Sequence, residues 1–157
     1  MSRSQLVLAA AAALALVAVV LVVRGHGRPG HAVLASRSLT PGVLNPDVTQ
    51  GTIATTICVH GYTRSIRPPS EYTSGLKVRQ MRAYRLLGSP SGYQEDHLIS
   101  LELGGHPTDP RNLWPEPYPR AADVDRIENE LNRRVCTRSM ALHDAQLEES
   151  RIKHTKG

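Results

Sequence analysis

The sequence predicts a small α+β domain carried behind an N-terminal apolar segment, on three observations. Its apolar residues are unevenly placed, since Leu6 to Val23 is an unbroken run of 18 Leu, Val and Ala residues. Without that run roughly 32% of the chain is apolar, against the roughly 45–50% of ordinary globular chains, so the core is thin. The middle of the chain reads as short strands broken by Gly and Pro, and the second half as helices with a periodic apolar stripe. At 157 residues this leaves room for one domain and excludes a multi-span membrane protein or a large enzyme.

Residues 1–23 have the layout of a signal peptide or an N-terminal membrane anchor, with Arg3 ahead of the apolar run and Arg24 and Arg28 behind it. The run is long for a signal and just long enough for a tilted span. Either way the remainder is expected to be secreted or membrane-anchored on the extracytoplasmic side. In an oxidising compartment the even pair Cys58 and Cys136 favours a disulfide over two buried thiols. A loop of that length is worth about 4–5 kcal/mol by chain entropy.

Residues 24–39 read as a Gly-, His- and Arg-rich flexible linker, and residues 40–157 as the domain. Val48 to Tyr62 suggests one or two strands around Ile53–Val59. Pro68-Pro69 precedes a helix expected over about Glu71–Leu87 and closed by Gly88, with Leu76, Ala83 and Leu87 on one face and Arg79, Arg82 and Arg85 on the other. Tyr93–Leu103 is strand-like and ends in a Gly104-Gly105 turn, after which Trp114–Pro119 reads as a rigid strap. Val124, Ile127, Leu131 and Val135 mark the clearest helix. A weaker helix is expected from a Ser139 cap to about Ile152, followed by a basic tail.

Charge is divided too. Arg24 to Gly88 holds nine basic and two acidic residues, and Ser89 to Gly157 nine basic and twelve acidic. The net +5 and pI near 9.6 favour a polyanionic partner. No phosphate-binding Gly-x-x-x-x-Gly-Lys loop, His-Glu-x-x-His helix or Gly-x-Ser-x-Gly elbow is present.

The segment most suggestive of chemistry is Glu95-Asp96-His97-Leu98-Ile99-Ser100-Leu101-Glu102-Leu103-Gly104-Gly105, followed by Arg111-Asn112-Leu113. A carboxylate can hold a hard cation and a neighbouring imidazole can take a proton from water. Adjacent residues on a strand point to opposite faces, so Asp96 and His97 share a site only at a bulge or a strand end.

An Asp-His pair, a short apolar run, Gly-Gly, and Asn-Leu with the Asn fifteen residues after the histidine resembles the HNH, or ββα-metal, nuclease motif. The resemblance covers about residues 96–132. The string running on through Asn112-Leu113-Trp114-Pro115-Glu116-Pro117 also resembles a group of small exported bacterial proteins with an HNH-like core. It implies a ββα-metal core with added helices and short strands, and a divalent metal ion as cofactor, Mg²⁺ or Mn²⁺ ahead of Zn²⁺. Nucleic acid is the implied substrate, and the membrane a partner if the N-terminal segment is retained.

On this resemblance Asp96 is a metal ligand, His97 the general base, Asn112 the residue that ties the loop, and Gly104-Gly105 the tight turn. Arg79, Arg82 and Arg111 are candidate phosphate contacts. Two positions depart from the motif: Ser100 stands where Pro is usual, and the helix lacks its closing histidine. Glu128, Asn129 and Asp125 are the substitute ligands in that order, because Glu128 lies about 40° from Val124 on the wheel. A salt bridge from Glu128 to an arginine is the competing expectation. A non-catalytic envelope protein that keeps the HNH-like scaffold for binding or structure is the alternative function.

Overall fold

The computed structural model describes residues 33–118 and 120–156. The apolar segment over residues 1–23, and with it the signal or anchor expectation, lies outside the described residues. Among the described residues no helix is long and apolar enough to cross a membrane.

The described chain is a mixed α+β domain. A short helix α1 (Tyr62–Ile66) precedes α2 (Ser70–Ala83). Strands β1 (Tyr93–His97) and β2 (Leu113–Pro117) form a two-stranded antiparallel sheet. Helices α3 (Arg120–Cys136) and α4 (Leu142–Thr155) complete the domain.

The segment expected to be a strap is thus a strand, despite two prolines. Leu98 N–H bonds Asn112 O, and Tyr118 N–H bonds Gly92 O, which fixes the phase of the ladder. Bonded and non-bonded pairs alternate in an antiparallel ladder. Pro115, opposite Glu95, and Pro117, opposite Tyr93, therefore fall at non-bonded positions where no N–H is needed.

The connection from β1 to β2 is held by backbone geometry. Gly104 has φ +78°, in the left-handed region open to glycine. A Cβ on Gly105 would lie 1.7 Å from the Ile99 carbonyl oxygen, so this position admits no side chain. The segment over 43–45 runs beside the turn, with Asn45 N–H on Gly104 O and His106 N–H on Val43 O.

The main core gathers Val48, Ile53, Ile57, Ile99, Leu103, Leu131, Val135, Leu142 and Ala145. The periodic stripe of α3 faces it, with Val124, Leu131 and Val135 buried and Ile127 half-buried. Cys58 and Cys136 are joined by a disulfide that ties the start of the domain to the end of α3. A smaller cluster packs Trp114, fully buried, with Leu98 and Ala35. Ala35 and the Ser36 N–H bond to the Tyr84 hydroxyl show that the packed domain begins ahead of residue 40.

Several local expectations change. Val48–Tyr62 forms no strand; a 3-10 turn over Ile53–Thr55 delivers Ile53 and Ile57 to the core instead. Helix α2 stops at Ala83, because Arg85 takes a positive φ of 55° and Leu86 N–H closes back on Met81 O. Gly88 is therefore not its cap, and Leu87 is 88% exposed rather than on the buried face. Helix α4 starts at Leu142, whose N–H is met by the Gln50 side chain at 2.7 Å rather than by a Ser139 cap.

Candidate active site

The strand end resolves the problem that adjacent residues face opposite ways. His97 is the last residue of β1, and both Asp96 and His97 border one polar cleft of about 420 Å³. The opposite wall is α3, which contributes Asp125, Glu128 and Asn129. Glu102, Thr63 and Arg67 also line the cleft. All of the predicted base and metal-ligand positions thus line a single cleft.

His97 is buried, and its Nε2 lies 3.0 Å from the Pro107 carbonyl oxygen. A carbonyl only accepts, so Nε2 carries the proton and Nδ1 is left as the basic nitrogen. Burial lowers the pKa of His97, with the Pro107 carbonyl opposing. The imidazole is therefore neutral at physiological pH, the form a general base requires.

Asn112 bridges the two ends of the loop between β1 and β2. Its Nδ2 donates to Ile99 O at 3.0 Å and His106 O at 3.1 Å, and its Oδ1 accepts from Ile99 N–H at 3.0 Å. It orients His97 indirectly, by fixing the loop that presents the Pro107 carbonyl. The His106 ring accepts Thr108 and Asp109 N–H at Nδ1, which gives that histidine a turn-stabilising contact.

Behind the cleft wall lies a side chain that sequence reasoning missed. Lys153 of α4 is fully buried and donates to Asp96 Oδ2 at 2.8 Å, to Glu128 Oε1 at 2.6 Å, and to the His97 carbonyl oxygen. Glu149 lies 3.4 Å from the same ammonium and accepts the Ser100 N–H. The ion pair expected between Glu128 and an arginine is thus made with a lysine of the acidic half. One signal was available: Leu142, Ala145, Glu149, Ile152 and Lys153 share one helical face, so the supposed basic tail belongs to a buried stripe.

One ammonium cannot balance every carboxylate around it. The Lys153 charge holds Asp96 below the usual carboxylate range despite its burial. Burial pushes Glu116 up to about 8 and Glu149 well above the ordinary range. Both Glu116 oxygens lack a donor, and the neighbouring Asp96 carboxylate can only accept. A proton on Glu116 lets the pair share a hydrogen bond. On the other side of β1, Glu95 is pushed to about 8 by burial, against the pull of Lys77 and Arg79.

The predicted phosphate contacts are distributed differently from the cleft. Arg79 and Arg82 are exposed on α2 and do not border it. Arg111 is bound in a two-toothed pair to Asp109, at 3.0 and 2.7 Å, so its charge is largely balanced. Arg67 is the cation at the cleft rim, with no ion-pair partner among the described residues.

For a metal, the donor set offers the Asp96 and Glu128 carboxylates, both bordering the cleft and both bonded to one lysine nitrogen. Hard oxygen ligands of this kind fit Mg²⁺ or Mn²⁺ better than Zn²⁺. Among the described residues, no three His, Cys, Asp or Glu side chains are grouped to hold a metal by themselves. Compared with protein-family models, curated proteins and solved structures, the chain has no match.

Proposed function

We propose that this domain is an exported HNH-like nuclease that hydrolyses phosphodiester bonds of nucleic acid, with a divalent cation as cofactor and His97 as general base. The observation that carries the reading is the His97 ring. It is locked by the Pro107 carbonyl with Nδ1 left basic, in the same cleft as Asp96 and Glu128.

In the proposed reaction, water attacks phosphorus as His97 Nδ1 takes its proton. The bond from phosphorus to the leaving oxygen breaks, and that oxygen leaves with a proton from solvent. Asp96 and Glu128 are the residues that would hold a divalent cation, and the chemistry it would supply is stabilisation of negative charge developing on the phosphate. Arg67 at the rim contacts a phosphate oxygen, a role that a planar guanidinium fills well. Asn112 keeps the loop closed so that His97 does not turn.

The test is cleavage of plasmid DNA and of RNA with Mg²⁺, Mn²⁺ or a chelator. His97→Ala is expected to lose about 10²–10⁴-fold in rate while remaining folded. Equal rates for His97→Ala and the wild type would sink the mechanism.

The Lys153 ammonium also favours a second reading, since it already neutralises carboxylates that a metal would use. On that reading the domain is an envelope-associated binding or structural protein on the same scaffold. Salt-sensitive retention on DNA without cleavage is the result that selects it.

A further inference from the structure

Lys153 has more contacts to the cleft than a helix anchor needs. An ammonium has three N–H groups. Here they go to Asp96, to Glu128 and to the backbone carbonyl of His97. Two of these acceptors are the candidate metal ligands, and the third belongs to the residue bearing the candidate base. The side chain reaches them from α4 with none of its surface exposed, while Asp96 and Glu128 keep 12% and 10% of theirs toward the cleft.

We propose that the Lys153 ammonium is a built-in cation of this site, a positioning residue that holds the Asp96 and Glu128 carboxylates side by side at the cleft wall. The inference deepens the nuclease reading and rests on it for its consequence in catalysis. Asp96 comes from β1 and Glu128 from α3, and two carboxylates on separate elements repel each other when no cation lies between them. The lysine fixes their spacing before any divalent cation arrives.

The fixed charge has a second consequence. A divalent cation that binds the outer oxygens does so beside a positive charge, so the wild type holds it weakly. Without the ammonium, the Asp96 and Glu128 carboxylates meet the divalent cation with no neighbouring positive charge, and affinity rises while the spacing that suits catalysis is lost.

The test uses the full chain and two variants, Lys153→Met, of similar length without charge, and Lys153→Arg, which keeps the charge. Mn²⁺ affinity is read by electron paramagnetic resonance without substrate, and cleavage at saturating Mn²⁺ is read per folded molecule. Lys153→Met is expected to bind Mn²⁺ about tenfold more tightly and to cleave about 100-fold more slowly. Lys153→Arg is expected to keep the wild-type affinity.

A folded Lys153→Met with unchanged Mn²⁺ affinity would overturn the proposal, because a lysine that only anchors α4 has no influence on that number. If Lys153→Met does not fold, the same comparison is made in Glu149→Gln/Lys153→Met, which carries one acid fewer. A wild type that never cleaves, with Mn²⁺ affinity still governed by Lys153, removes the nuclease reading and leaves the positioning role standing. A wild type that cleaves, with affinity indifferent to Lys153, does the reverse.

Discussion

The apolar core under α3 and α4 and the charged core between β1, α3 and α4 use the same two helices and are held by different forces. In the first, Leu131, Val135, Leu142 and Ala145 pack against Val48, Ile53 and Ile57 beside the Cys58–Cys136 bond. In the second, Asp96, Glu116, Glu128 and Glu149 surround Lys153. Apolar packing is non-directional and tolerates substitutions that keep volume. A buried charge cluster does not, because removing one partner strands another. The comparison teaches where the domain keeps its stability and where it keeps the spacing of its chemistry.

The largest expected effect falls on the apolar side. Replacing both cysteines, Cys58→Ser with Cys136→Ser, is expected to cost about 4–5 kcal/mol in denaturant unfolding, given the loop length. A loss under about 1 kcal/mol would mean that the thin core stands without the bridge.

On the charged side the members are not equivalent. Asp96 is held ionised by Lys153, whereas burial favours the protonated Glu149. Asp96→Asn is therefore expected to cost about 3 kcal/mol. Glu149→Gln, which mimics a protonated acid, is expected to cost less than about 1 kcal/mol. Equal losses would break the assignment of charge within the cluster.

A further effect, in melting temperature, is expected from pH. Burial pushes Glu95 and Glu116 up to about 8 and Glu102 up to about 7 in the fold. Between about pH 4.5 and about 8 the folded chain holds protons that the unfolded chain has released, so stability falls as pH rises. His97 acts the other way just below its ordinary value, because its folded pKa is lowered. Three groups outweigh one. The metal-free protein is expected to melt at least about 5 °C lower at pH 8 than at pH 5.5 by calorimetry. A higher melting point at pH 8 would show that these carboxyls are ionised in the fold.

Local pattern made part of this architecture readable. The period of Val124, Ile127, Leu131 and Val135 marks α3, and Gly104-Gly105 marks the turn, because both depend on near neighbours in the chain. Trp114–Pro117 was harder: two prolines argue against a strand until the phase of the ladder is known, and that phase is set by Gly92 and Asn112. Val48–Val59 has strand-forming residues but pairs with no strand among the described residues, and it folds as turns. Helix α2 ends early because Arg85, not Gly88, adopts the left-handed conformation.

At the candidate site, the residue types in Asp96-His97 and Asn112, and the wheel position of Glu128, were determined by the sequence alone. So were the apolar run at the N-terminus, the even cysteine count and the division of charge. The tertiary structure alone decided which nitrogen of His97 is basic, since the Pro107 carbonyl lies ten residues away in a loop closed by Asn112. It also decided that the partner of Asp96 and Glu128 is Lys153, 57 and 25 residues away along the chain. A linear pattern reports which side of its own element a residue occupies. The charge it meets there is chosen by the packing of the other elements, and that packing turned a lysine expected in a basic tail into the centre of the charged core.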